Sequence, residues 1–140
     1  MKTDHYRKAI AIYLRGKALD PHAVTAALGV HPSYSQQRGE PWGPPTLNCS
    51  EPARFGLWSL RVESDWGSVS DGVTRLLAAL PADRSVLRDV EGLEDPFLEI
   101  FVAGTADDQG RGTVQFDLST DTLAALASTG LPVTLCVIPK

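Results

Sequence analysis

The sequence contains no long apolar run, few cysteines and no excess of positive charge, and each absence excludes a class of protein. No stretch reaches the roughly 20 consecutive apolar residues of a membrane-spanning helix. The N-terminal residues also lack the apolar core of a signal peptide. We therefore expect a soluble cytoplasmic protein that has no membrane partner and no framework of disulfides.

Basic residues are outnumbered by acidic ones and are scattered along the chain. The 140 residues include 13 Lys and Arg against 17 Asp and Glu, which gives a formal net charge of −4. Surfaces that bind nucleic acids normally contain a basic patch, so we expect no nucleic-acid partner. The acidic balance instead favours a basic protein as the partner.

Histidines and cysteines, which bind metals, are few and far apart, and the many possible nucleophiles lie in no recognisable catalytic motif. The three histidines have no second ligand at a metal-binding spacing, and the sequence contains no GxSxG motif and no phosphate-binding glycine motif. The two cysteines, Cys49 and Cys136, fit no CxxC pattern, and Cys136 lies in an apolar run that predicts a core position. We therefore assign no catalytic residue, no metal site and no cofactor, and the sequence favours a protein that is not an enzyme.

The composition that remains is typical of a single globular domain. Hydrophobic residues make up 43% of the chain and charged residues 21%, which are ordinary values for a folded protein. A chain of this length can bury enough surface to fold without a metal ion or a disulfide. Residues 31–53 are rich in proline and glycine and predict a long loop, a feature that is often functional in a compact domain.

Hydrophobic periodicity predicts alternating strands and helices. Residues 7–15 contain almost no polar position, which indicates a central strand buried on both faces. Asp20, Pro21 and Gly29 are typical of the N-cap, the first turn and the C-terminal end of a short helix. The same rules predict helices that begin at Ser70-Asp71 and at Ser119 or Thr120, a helical segment at 83–90, and strands at 34–38, 54–63, 96–103, 113–118 and 133–138.

The order of these elements predicts one α+β domain over residues 1–140. We expect a mainly antiparallel sheet with helices packed on one face, built from split βαβ units of the ferredoxin-like kind. Residues 96–103 and 113–118 are expected to pair as a hairpin. The segments around the first and last helices resemble each other, which indicates either an internal repeat or the same capping residues used twice.

Tryptophans and acidic residues in the predicted loops are candidates for contact with a partner. Trp42 and Trp66 lie in loops, and tryptophan is typical of the residues that contribute most to interfaces. They are either interface residues or lids on the core, whereas Trp58 lies in a strand and is expected inside. Asp107 and Asp108 form either a solvated acidic rim or an acidic docking surface.

Two functions from different classes fit these residues. The first is a non-enzymatic protein-binding module, such as an intracellular inhibitor or immunity-type protein, which masks a partner with its acidic, tryptophan-bearing loops. The alternative is a small-molecule-binding protein or an uncharacterised enzyme with a site between the sheet and the 31–53 loop, formed by Arg38, Trp42, Arg54 and Trp66. The sequence also allows a homodimer joined through an exposed face or edge of the sheet.

Several blocks of the sequence resemble the bacterial family catalogued as domain of unknown function 4279. They are an LDP start and an LG-x-x-P end around the first helix, a mid-chain Trp58, and an LS-x-x-x-L-x-x-L-x-x-x-G block near the C-terminus. The resemblance covers residues 7–138 and implies a small bacterial α+β protein. The family has no established activity, so the resemblance implies no catalytic residue.

Overall fold

The computed structural model describes residues 7–40, 52–64, 67–104 and 115–139. In these residues five strands form one open sheet, and three helices pack on one side of it. No helix in these ranges is long and apolar enough to cross a membrane. In chain order the elements are β1 (Arg7–Gly16), α1 (Pro21–Leu28), β2 (Tyr34–Gln36), β3 (Gly56–Ser64), α2 (Val69–Ala78), a 3₁₀ helix (Arg84–Leu87), β4 (Phe97–Gly104), α3 (Thr120–Ser128) and β5 (Val133–Pro139).

The strand order is β2-β3-β1-β4-β5, and the pairing between β4 and β5 is the one parallel pairing among these strands. The predicted α+β class with a mainly antiparallel sheet is therefore confirmed. Strands β3 and β4 run in the same direction with β1 between them, so β3-α2-β4 is a split βαβ unit of the predicted kind. The β4-α3-β5 connection joins two adjacent parallel strands.

Strand β1 occupies the centre of the sheet, as its continuous apolar run predicts. It pairs with β3 along one edge and with β4 along the other. Ile10, Ile12 and Leu14 point to the helical side and are fully buried. On the opposite side Ala9 and Ala11 are also buried, whereas Tyr13 and Arg15 are partly exposed, so the predicted burial on both faces holds for the first half of the strand.

Side-chain caps determine where the helices begin and end. Asp20 accepts a hydrogen bond from the backbone N–H two residues further on, at 3.0 Å, and Gly29 ends α1 with a positive φ of 70°. Ser119 caps α3 as predicted. The predicted start of α2 is wrong by two residues, because Ser68 and Asp71 each accept a backbone hydrogen bond from the other and form a capping box.

The expected hairpin after β4 is wrong in the part that the structure describes. Residues 115–118 are not a strand, and residues 105–114 lie outside the described ranges. Strand β4 has β1 on one edge and β5 on the other, so neither edge is free for a hairpin partner. Phe116 and Leu118 instead pack, partly buried, against the hydrophobic core.

Strand β5 is more exposed than its apolar sequence predicts. Cys136 is only partly buried rather than part of the core, so that prediction is wrong. The reason is the position of β5 at the end of the sheet order, where a strand has a neighbour on one side only. An apolar run alone does not distinguish a central strand from an edge strand.

Trp58 links the sheet to α1 and confirms its predicted core position. It is fully buried in the centre of the hydrophobic cluster. Its indole N–H donates a hydrogen bond to the hydroxyl of Thr25 at 3.1 Å. That hydroxyl in turn donates to the carbonyl of Pro21 at 3.2 Å, so the indole N–H is satisfied without contact with water.

We predict that Thr25→Val lowers the free energy of unfolding by about 1–3 kcal/mol, because it leaves the buried indole N–H of Trp58 without an acceptor. Thr25→Ser keeps the hydroxyl and is expected to retain most of the stability. Urea denaturation followed by tryptophan fluorescence measures both variants. Equal losses for valine and serine would contradict the hydrogen-bond explanation.

Candidate functional site

Two glycines lie opposite each other at one end of the sheet, where loops approach the strands closely. Gly16 of β1 pairs with Gly56 of β3. A Cβ atom on Gly16 would lie 1.9 Å from the carbonyl oxygen of Gly92, and one on Gly56 would lie 2.0 Å from that of Leu19. Because backbone atoms cannot move aside cheaply, only glycine fits at these two positions.

An open depression of about 650 Å³ lies at this same end of the sheet. It is lined by one residue from the turn after β1 and by residues from both ends of the predicted 31–53 loop. The lining residues are Lys17, Arg38, Gly39, Pro52, Ala53 and Arg54.

Backbone hydrogen bonds hold the two ends of that loop together. The N–H of Gly39 donates to the carbonyl of Ala53 at 2.9 Å, and the N–H of Ala53 donates to the carbonyl of Glu40 at 2.7 Å. These bonds continue the antiparallel pairing of β2 with β3 beyond the strands. They place Arg38 and Arg54, which are 16 positions apart in the sequence, on the same depression.

The lining of the depression is strongly cationic. Lys17, Arg38 and Arg54 are all exposed, and the described residues that line the depression include no carboxylate. Among the described residues none of the three forms an ion pair. We call this surface, defined by Lys17, Arg38 and Arg54, the basic depression.

A fourth cation at this end of the sheet is held quite differently. Arg15 forms an ion pair with Asp95, and its Nε lies 2.9 Å from Oδ2 of that carboxylate. Its guanidinium also lies 5.3 Å from the ring centroid of Phe97 and 5.8 Å from that of Phe55, within the range of cation–π attraction. Tyr13 stacks on Phe97 with 4.9 Å between centroids. Arg15 is therefore neutralised, which separates it from the basic depression.

The structure places two of the six predicted site residues and leaves the other four untested. Arg38 and Arg54 come together, whereas Trp42, Trp66, Asp107 and Asp108 lie outside the described residues and their roles stay predictions. Sequence reasoning missed Lys17, which follows the buried central strand in a glycine-containing turn. A basic residue in that turn was the one signal that could have indicated it.

The carboxylate of Asp83 has a structural role, as a helix cap. The hydroxyl and the N–H of Ser85 both donate to the carboxylate of Asp83, at 2.6 and 3.1 Å, and thereby lower the pKa of Asp83. Asp83 is the N-cap of the 3₁₀ helix. Within the described ranges, no three side chains of the His, Cys, Asp or Glu type are grouped so that they could hold a metal ion.

The fold and the basic depression define a small open-sheet α+β domain with a concave cationic surface at one end of the sheet. The chain belongs to the family described as Domain of unknown function (DUF4279), whose family model matches residues 5–139. This match confirms the resemblance found in the sequence. No curated protein and no solved structure matches the chain, so function has to be argued from the residues themselves.

Proposed function

We propose that this protein binds a small molecule bearing a phosphate or carboxylate group, and that the basic depression is the binding site. The observation that supports the proposal is the convergence of Lys17, Arg38 and Arg54 on one concave surface, with no carboxylate among the lining residues that the structure describes. This is the small-molecule alternative from the sequence, and it retains Arg38 and Arg54 from the four residues predicted for that site.

The chemistry of the three side chains suits an oxyanion. A guanidinium group presents paired N–H donors that match the geometry of a carboxylate or phosphate, and lysine adds a compact positive charge. Three like charges around one depression repel one another when no anion is present. An anionic ligand removes that repulsion and supplies acceptors for donors that otherwise contact water.

The size of the depression and the charge of the whole chain favour a small ligand over a polyanion. Its volume of about 650 Å³ lies within the roughly 300–1,000 Å³ that is typical of small-molecule sites. A long nucleic acid would also approach the rest of the surface, and the formal net charge of −4 opposes that approach. A compact ligand contacts only the local positive charge.

We predict that pyrophosphate or citrate perturbs the amide NMR signals of Lys17, Arg38 and Arg54. The double variant Arg38→Gln/Arg54→Gln is expected to weaken the binding by about five- to thirtyfold, because the two lost ionic contacts at exposed sites contribute about 0.5–1 kcal/mol each. The double variant Arg75→Gln/Arg88→Gln removes the same charge from exposed positions on the helical side and is the matched control.

Equal weakening in both double variants would show a general effect of net charge and would contradict a specific site. The absence of any shift with folded protein at millimolar pyrophosphate and citrate would also count against the proposal. Raising the salt concentration is expected to weaken the binding, because the contacts are exposed and salt screens them.

A second candidate function is the protein-binding module of the inhibitor or immunity type, acting in the bacterial cytoplasm. One observation favours protein contact: the side of the sheet opposite the helices exposes aromatic side chains. Tyr34 is about half exposed, and Tyr13, Phe97 and Phe101 are partly exposed. Exposed aromatic residues are typical of the positions that contribute most to protein interfaces.

Affinity capture distinguishes the two candidates. If the second is correct, tagged protein retains a partner from its native cell lysate, and Trp42→Ala/Trp66→Ala loses that partner while Arg38→Gln/Arg54→Gln keeps it. Mass spectrometry of the captured proteins is the measurement. An identical set of captured proteins for the wild type and the tryptophan variant would contradict a loop interface.

A further inference from the structure

Apart from Pro139 at its C-terminal end, the outer edge of β5 lacks the features that normally protect an exposed strand. Edge strands usually carry charged residues or are very short, since their free backbone groups otherwise pair with other chains. Residues 133–139 contain no charged residue, and β5 is the last strand in the sheet order among the described residues. The opposite edge differs, because β2 has only three residues, Tyr34, Ser35 and Gln36, and none of them is aliphatic.

The ladder between β4 and β5 shows which backbone groups point outward. The N–H of Leu98 donates to the carbonyl of Pro132 at 2.9 Å, and Leu98 lies opposite Val133 in the parallel register. In a parallel pairing, alternate residues direct both backbone groups to the neighbouring strand. The N–H and C=O groups of Val133, Leu135 and Val137 therefore point away from β4.

The side chains of these same three residues are apolar and exposed. Relative exposure is 39% for Val133, 55% for Leu135 and 42% for Val137, and Leu123 of the adjacent α3 is 49% exposed. The three strand residues lie on the helical side of the sheet, beside fully buried residues of β4. Among the described residues, the outer edge of β5 thus combines unpaired backbone groups with a row of exposed aliphatic side chains.

We propose that two copies of this chain join through β5, antiparallel about Leu135, and form one continuous ten-stranded sheet. The outward-pointing residues are arranged symmetrically about Leu135, because one valine, Val133, lies two positions before it and another, Val137, lies two positions after it. In the dimer Leu135 faces Leu135 of the second copy, and each Val133 faces a Val137. The three outward-pointing residues of each copy then form about six interchain hydrogen bonds.

Two neighbouring registers of the same strands each leave a backbone group of Val133 or Val137 without a partner inside the strand. A shift that centres the pair on Cys136 places Val133 opposite Pro139, which has no N–H to donate. A shift that centres it on Thr134 moves Val137 opposite Leu131, which precedes the strand. The match of donors, acceptors and apolar side chains about Leu135 is the reason why a second copy of this chain fits this edge.

Analytical ultracentrifugation over a concentration series tests the association. The wild type is expected to shift from the monomer mass of 15.1 kDa to twice that mass as its concentration rises. Leu135→Lys places a charge at the centre of the interface and is expected to raise the dimer dissociation constant at least about tenfold. Tyr34→Lys, on the edge formed by β2, is the matched control and is expected to dimerise like the wild type.

Cysteine cross-linking tests the register independently. In the proposed dimer Thr134 faces Cys136 of the second copy, with Cβ atoms about 4.5–5.5 Å apart, close enough for a disulfide after a small adjustment. In a Cys49→Ser background, Thr134→Cys is therefore expected to form covalent dimers on mild oxidation. Ile138→Cys, on the same side of the same strand, lies opposite residue 132 and is expected to form few.

Circular dichroism confirms that each variant is folded before its association is compared. Selective loss of the dimer in Leu135→Lys together with selective cross-linking of Thr134→Cys supports the proposal. A wild type that stays monomeric at all concentrations would overturn it and leave the edge to a strand of another protein. A dimer that survives Leu135→Lys, or equal cross-linking at positions 134 and 138, would also overturn it.

Discussion

The pairing of β1 along both of its edges is the constraint on which the rest of the structure depends. With β3 on one side and β4 on the other, β1 leaves only the outer edges of those two strands for β2 and β5. Strands β3 and β4 then run parallel, so the chain between them has to cross from one end of the sheet to the other, which α2 does on the helical face. Close approach of loops to Gly16 and Gly56 completes the end of the sheet where the basic depression lies.

Local sequence patterns predicted the helices and strands well, because a cap or a hydrophobic period depends only on neighbouring residues. Helix α1 begins after Asp20 and ends at Gly29 as expected, since a cap and a positive φ are properties of a few consecutive residues. Helix α2 begins earlier than predicted, because Ser68 caps it through a capping box with Asp71 and the cap expected at Ser70-Asp71 is not used. The predicted hairpin failed for a nonlocal reason: β4 pairs instead with β5, and 28 residues separate the two strands in the sequence.

At the candidate site, likewise, the local sequence indicates which residues are basic, but their convergence depends on contacts between distant parts of the chain. Arg38 and Arg54 were recognisable as basic residues at either end of an unusual loop, but their convergence depends on the backbone pairing of Gly39 with Ala53. Lys17 lies near these two arginines because the turn after β1, which is distant in the sequence, lines the same depression. Likewise, nothing near Arg15 in the sequence indicates that a carboxylate 80 positions away neutralises it.

The two proposed sites lie on different strands, and this separation has a consequence for how they would act together. The basic depression involves the ends of β1 and β3, whereas the dimer edge is β5, and β4 lies between β5 and β1. Neighbouring strands are about 4.8 Å apart, so roughly 10 Å of sheet separates β5 from β1. A dimer joined through β5 therefore leaves both depressions open to solvent. Because the hydrogen bonds that shape each depression lie within one copy, ligand binding and association are expected to be independent of each other.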